Sequence, residues 1–130
     1  MPNLNPWAIL LAAASSFLLG GIWYGPLFKN AWCRAAGVNP DKPAGHPLRV
    51  FGIAFAMSLV AATAFAWMLG PRPDPSFAMI MGLGVGLGFV ATSFGINYQF
   101  SNRPFVLWAI DGGYHALQFV LYGLVLGLWH

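Results

Sequence analysis

Charge is what this chain has least of. Of 130 residues only 7% are Asp, Glu, Lys or Arg, against about 25% in soluble proteins. So few charges cannot cover a water-facing fold of this size, which excludes a soluble globular domain. The six Lys and Arg, in a chain of formal net charge +3, are too few for a nucleic-acid surface or a site for acidic partners. Cys33 is the single cysteine, so no internal disulfide forms, and a small buried or interfacial thiol is the expectation. No Lys or Arg precedes the first apolar run, and that run continues to full membrane length. A cleavable signal peptide is therefore not expected, and the first helix should stay in the mature protein.

What the chain has instead is apolar length. Hydrophobic residues make up 58%, gathered into four runs that each approach the roughly 20 residues a membrane helix requires. The reading is an all-α, integral membrane four-helix bundle, a single domain over 1–130 with helices at about 6–24, 48–69, 76–98 and 104–129. Pro6 suits a first helical turn, and Trp7 and Trp23 bracket the first run at the headgroup level. Tyr24-Gly25-Pro26 is expected to end it. Leu27 to Arg34 then mixes large apolar groups with Lys29 and Arg34, as a short interfacial amphipathic segment does. Gly37 to Pro47 reads as a solvated loop, and Pro71 to Pro75 as a tight connection.

Small residues recur every four positions along the runs, the spacing that lets membrane helices approach closely. The first stripe holds Ala8, Ala12, Ser16 and Gly20, the second Ala54, Ser58, Ala62, Ala66 and Gly70. In the third run Gly82, Gly84, Gly86 and Gly88 alternate. They do not read as a nucleotide loop, because no strand precedes them and no lysine follows. They form two GxxxG pairs on adjacent faces, Gly82 with Gly86 and Gly84 with Gly88. The packing residues expected are Ala12, Ser16, Gly20, Ser58, Ala62, Gly84 and Gly88. Such faces also predict homo-oligomerisation, since four helices alone leave few interior surfaces.

The cations set an orientation. Lys29, Arg34, Lys42, Arg49 and Arg103 fall on the first and third connections and their helix mouths, Arg72 alone on the other side. By the positive-inside rule the chain is a multi-pass protein of a bacterial inner (cytoplasmic) membrane, with both termini periplasmic.

The fourth run carries the chemistry. Asp111, His115 and Gln118, at i, i+4 and i+7, share one helix face, flanked by Tyr114 and Tyr122. An ionised Asp at the bilayer centre costs about 2.5–3.5 kcal/mol on lenient scales, so this stripe must face protein or trapped water. Ser93 and Asn97 of the third run fall at a depth comparable with Asp111, which predicts a chamber holding Asp111, Tyr114, His115, Gln118, Ser93 and Asn97. A carboxyl and an imidazole one turn apart share a proton, pointing to proton-linked movement of a small solute. The bland alternative has Asp111 and His115 satisfy each other and fasten the helices, in a non-catalytic accessory subunit of a larger membrane complex. No cofactor or metal is expected: Asp111 and His115 fall short of the three protein groups zinc requires, and His115 alone offers one axial haem position. No nucleophile-base pair stands out, and Ser15, Ser16 and Thr63 read as packing groups, so the chain is not expected to be an enzyme.

Two motifs, Trp23-Tyr24-Gly25-Pro26-Leu27-Phe28 with Trp32, and Gly113-Tyr114-His115 with Gly127-Leu128-Trp129, resemble the bacterial family of small four-helix membrane proteins catalogued as domain of unknown function 1761. The resemblance implies the membrane fold over nearly the whole chain and supplies no reaction. It also implies Asn as often as Asp at position 111, which favours a hydrogen-bonding role there and puts weight on Tyr114 and His115.

Overall fold

The computed structural model describes residues 4–39, 41 and 45–130, so Lys42, one of the expected basic residues, lies outside the described residues. Those described are 84% helical with no strand. Three helices begin on one device, a polar side chain followed by proline. Asn5 Oδ1 accepts from the Trp7 and Ala8 amides at the head of α1 (Pro6–Ile22). His46 Nδ1 accepts from the Leu48 amide at α3 (Pro47–Leu69). Asp74 Oδ2 accepts from the Phe77 amide at α4 (Pro75–Val85). In each case proline occupies a position whose missing N–H costs nothing, and the side chain takes up orphan amides behind it.

The regular first helix stops at Ile22 and the chain kinks at Gly25, within the Tyr24-Gly25-Pro26 segment expected to end it. The chain winds on through a π turn, Trp23–Leu27, and the Phe28 amide closes onto the Trp23 carbonyl at 3.0 Å. Pro26 has no N–H to give a regular ladder, and Gly25 leaves helical geometry (φ −99°, ψ −105°) to absorb the fault. A short amphipathic helix, α2 (Lys29–Ala36), follows. Trp32 and Cys33 are half-buried while Lys29, Asn30 and Arg34 are exposed. The helix stops at Gly37, in the left-handed conformation at φ 72°, and the Arg103 guanidinium donates to the Ala36 carbonyl at 2.7 Å.

The third long stretch is α4, a π turn at Gly86–Ala91, and α5 (Thr92–Phe100). A wide turn loosens the helical ladder, and hydroxyls take up its carbonyls: Thr92 donates to Gly88 and Ser93 to Phe89. Three stretches, Pro6–Leu27, Pro47–Leu69 and Pro75–Phe100, are long and apolar enough to cross a membrane. The last helix, α6 (Phe105–Leu128, 24 residues), is as long, but Asp111, His115 and Gln118 dilute it. It lies antiparallel along the third stretch from end to end: Gly127 against Pro75, Gly123 against Ala78, Phe119 against Gly82, Ala116 against Gly86, and Trp108 against Gly95. It therefore traverses the same thickness, and the chain forms a four-helix membrane bundle with α6 at its centre.

Close approach fixes that register. A Cβ on Gly82 or Gly86 would land on the Phe119 or His115 carbonyl, whereas one on Gly84 or Gly88 would meet nothing. The expected packing of Gly84 and Gly88 is not met within the chain: both are exposed, and the Gly82–Gly86 face carries the contact. The other stripes meet each other. Ala8, Ala12 and Ser16 of α1 and Ser58, Ala62 and Ala66 of α3 are all buried, though Ala54 is exposed. Phe65, Phe119, Tyr122 and Leu126 complete this core, with the rings of Phe65 and Phe119 edge-to-face at 5.7 Å. Leu18, Val60, Ile80 and Phe89 point outward, as they must where the surroundings are acyl chains rather than water.

Leu4, Asn5, Pro71, Arg72, Pro73, Trp129 and His130 line one cavity of about 280 Å³. The chain ends and the second connection therefore share one end of the bundle. The contact of Arg103 with Ala36 joins the first and third connections at the other end.

Candidate functional site

Asp111 sits two turns into α6, 8% exposed, and three segments reach in to hold it. The Tyr24 hydroxyl, from the π turn after α1, donates to Oδ1 at 2.6 Å. The Trp32 indole, from α2, donates to the same oxygen at 3.0 Å. The Tyr98 hydroxyl, from α5, donates to Oδ2 at 2.6 Å. Hydrogen bonds to a carboxylate contribute about 1.5–3 kcal/mol each, so three of them exceed the roughly 2.5–3.5 kcal/mol of placing an Asp inside the bilayer. The Tyr24 ring packs on Trp32 at 5.8 Å and on Tyr114 at 5.5 Å, which shields the group from lipid. The geometry is that of a clasp: one acceptor ties three otherwise separate segments to the central helix.

His115 belongs to a second network. Its Nδ1 donates to Gln118 Oε1 at 2.5 Å, Gln118 Nε2 donates to the Tyr122 hydroxyl at 2.7 Å, and that hydroxyl pairs with Ser58 Oγ at 2.6 Å. Ser58 Oγ meets Ser16 Oγ at 2.8 Å, and Ser16 closes the row on the Ala13 carbonyl. The row threads α6, α3 and α1 through their small-residue faces, and the serines are small enough to let the helices approach while pairing across the gap. Phe94 stacks on the imidazole at 5.0 Å and 16°. The Tyr114 hydroxyl donates to the Ser16 carbonyl at 3.0 Å, with Gly20 under its ring. Among the described residues no buried side-chain nitrogen or oxygen lacks a partner.

The expected chamber is thus two networks, and four of its six members take part. Asp111 and His115 do not bond each other; each bonds other side chains. Gln118 joins His115, while Tyr114 is spent on α1. Ser93 and Asn97 do not enter: both are exposed, and Ser93 Oγ donates to the Phe89 carbonyl of its own helix at 2.6 Å. The π turn between Gly86 and Ala91 rotates everything beyond it relative to a continuous α-helix. The face that an unbroken 3.6-residue period aims at α6 is turned away, and Tyr98 is turned in. Tyr24, Trp32 and Tyr98 are the partners that periodicity misses. The aromatic motif that surrounds Pro26 was the signal for the first two. Among the described residues no three His, Cys, Asp or Glu side chains converge.

The two motifs singled out in the sequence meet here. Trp23 Nε1 donates to the Ile110 carbonyl at 2.8 Å, and the ring lies on Gly113, where a Cβ would stand 3.1 Å from Cζ2. The family described as "Protein of unknown function (DUF1761)" matches the chain over residues 7–127. The chain belongs to that family. The DUF1761 match takes in the whole clasp, from Tyr24 and Trp32 through Tyr98 to Asp111. No curated protein and no solved structure matches the chain. With its apolar spans the chain is a membrane protein of a family whose function is unassigned.

Proposed function

We propose that this protein is a non-catalytic accessory component of a larger membrane complex rather than an autonomous proton carrier. The observation that carries this reading is the occupancy of Asp111, whose two oxygens are taken up by Tyr24, Trp32 and Tyr98. A carrier's carboxyl must exchange its partners during turnover, and this one holds segments together. The second network argues the same way. The Gln118 amide stands between His115 and Tyr122, and a carboxamide does not relay protons as a hydroxyl or imidazole does. The proposal extends to a bacterial inner membrane with both termini periplasmic, supported by Lys29, Arg34, Arg49 and Arg103 lying at the end opposite Arg72. Homo-oligomerisation is a further component, supported by the unused small residues Gly84 and Gly88.

Purification in mild detergent tests the reading directly: a stoichiometric larger partner is the expected outcome. Proton uptake by liposomes holding the protein alone should not exceed that of empty liposomes. Uptake by wild type that His115→Gln abolishes would overturn the accessory reading in favour of proton-linked solute movement. That second reading is supported by one feature, the placement of His115 along a cavity wall.

A further inference from the structure

A cavity of about 380 Å³ lies between α1, α3, the Gly86–Ala91 turn and α6, with Phe17, Met57, Val90, Tyr114, His115 and Gln118 in its wall. Met57 is 65% exposed, so the cavity opens sideways along α3 rather than toward either end of the bundle. Its depth follows from register. The His115 carbonyl faces Gly86, about 16 Å along the axis from Pro75 and about 21 Å from Phe100 at 1.5 Å per residue. The opening therefore lies near the middle of the hydrocarbon, where only bilayer-soluble molecules arrive.

One ring nitrogen of His115, a residue of this wall, has no hydrogen-bond partner. His115 Nδ1 donates to Gln118 Oε1, whose amide nitrogen is committed to Tyr122. That arrangement leaves the ring's Nε2 with a lone pair and no hydrogen. No described residue bonds Nε2, and it is not among the buried atoms, since every one of those has a partner. An acyl chain filling the cavity would leave the lone pair unpaired. A ligand with a hydroxyl at its polar end would donate to it and lay its apolar body against Phe17, Met57 and Val90. We propose that this cavity is a binding site for a bilayer-soluble alcohol or phenol, entering from the lipid side with its hydroxyl donating to His115 Nε2. The inference is independent of whether the protein carries protons or serves a larger complex.

The test uses the full chain in lipid nanodiscs with hexadecanol carrying a diazirine near its hydroxyl end. Expected are saturable crosslinks to the wall around Tyr114, His115 and Gln118, competed by unlabelled hexadecanol at least tenfold better than by its methyl ether. His115→Phe should erase that preference, and Met57→Trp, which fills the opening from the lipid-facing side, should reduce labelling about tenfold. Equal competition by alcohol and ether in wild type would overturn the proposal and leave a groove occupied by ordinary acyl chains. So would labelling that Met57→Trp does not change. These readings stand even if His115→Phe fails to fold, because Met57 lies outside both polar networks.

Discussion

The indole of Trp23 rests on the bare backbone of Gly113 and donates to the carbonyl of Ile110, 2.8 Å away. This contact between the end of the first span and the middle of the last brings Tyr24 over Asp111. It also accounts for the glycine: a Cβ at Gly113 would stand 3.1 Å from the ring, closer than packed carbons ordinarily approach. Gly113→Ala should lift Trp23 and lengthen the Tyr24 bond. A red-shifted tryptophan emission together with a lower melting temperature in detergent would show it.

Substitutions at Asp111 should separate shape from satisfaction. Asp111→Asn keeps one acceptor oxygen and gives the other side a donor that a phenol oxygen accepts, so a loss of about 1 kcal/mol is expected. Asp111→Leu leaves Tyr24, Trp32 and Tyr98 without an acceptor, at about 1–3 kcal/mol for each donor that stays buried. Thermal unfolding in one detergent should rank wild type and Asn close together, with Leu well below both. Equal loss in the two variants would contradict the clasp.

Trp32 is the only side chain of α2 bonded to Asp111. Trp32→Phe removes that bond while keeping much of the ring, so α2 should detach more readily and the bundle should remain. Cys33, the single cysteine and half-buried beside it, is a ready reporter. Its labelling by a membrane-impermeant maleimide should quicken several-fold in Trp32→Phe, with little change in melting temperature.

The two glycine faces of the third span should respond oppositely. Gly82→Ala and Gly86→Ala each drive a methyl into the backbone of α6, and overpacking of this kind costs about 1–3 kcal/mol. Gly84→Ala and Gly88→Ala meet nothing within 4 Å and should be neutral or stabilising, by up to about 1 kcal/mol from helix propensity. Unfolding in mixed micelles tests the four variants in parallel.

Tyr122→Phe deletes the hydroxyl that joins Gln118 to Ser58. Both partners are buried; Ser58 Oγ keeps Ser16, while the Gln118 amide nitrogen is left unsatisfied at about 1–3 kcal/mol. Gln118→Leu in the same background should recover part of that loss, because it removes the stranded amide. A double-mutant cycle on melting free energies should show coupling above about 0.5 kcal/mol.

The amino-acid sequence by itself determined the class of this protein. Scarce charge and apolar runs about 20 residues long select membrane-crossing helices, because a helix of that length spans the hydrocarbon and pairs its backbone amides within its own segment. It also determined that Asp111, His115 and Gln118 turn inward, since facing lipid costs too much. The tertiary structure decided which neighbours they meet. Alternating glycines give the third span two faces of equal merit, and only the bare backbone of α6 opposite Gly82 and Gly86 selects between them. Likewise, one extra residue in the Gly86–Ala91 turn exchanges Ser93 and Asn97 for Tyr98 at Asp111. A helical period read along the chain assumes an unbroken ladder, and the ladder breaks at the Gly25 kink and at the Gly86–Ala91 turn.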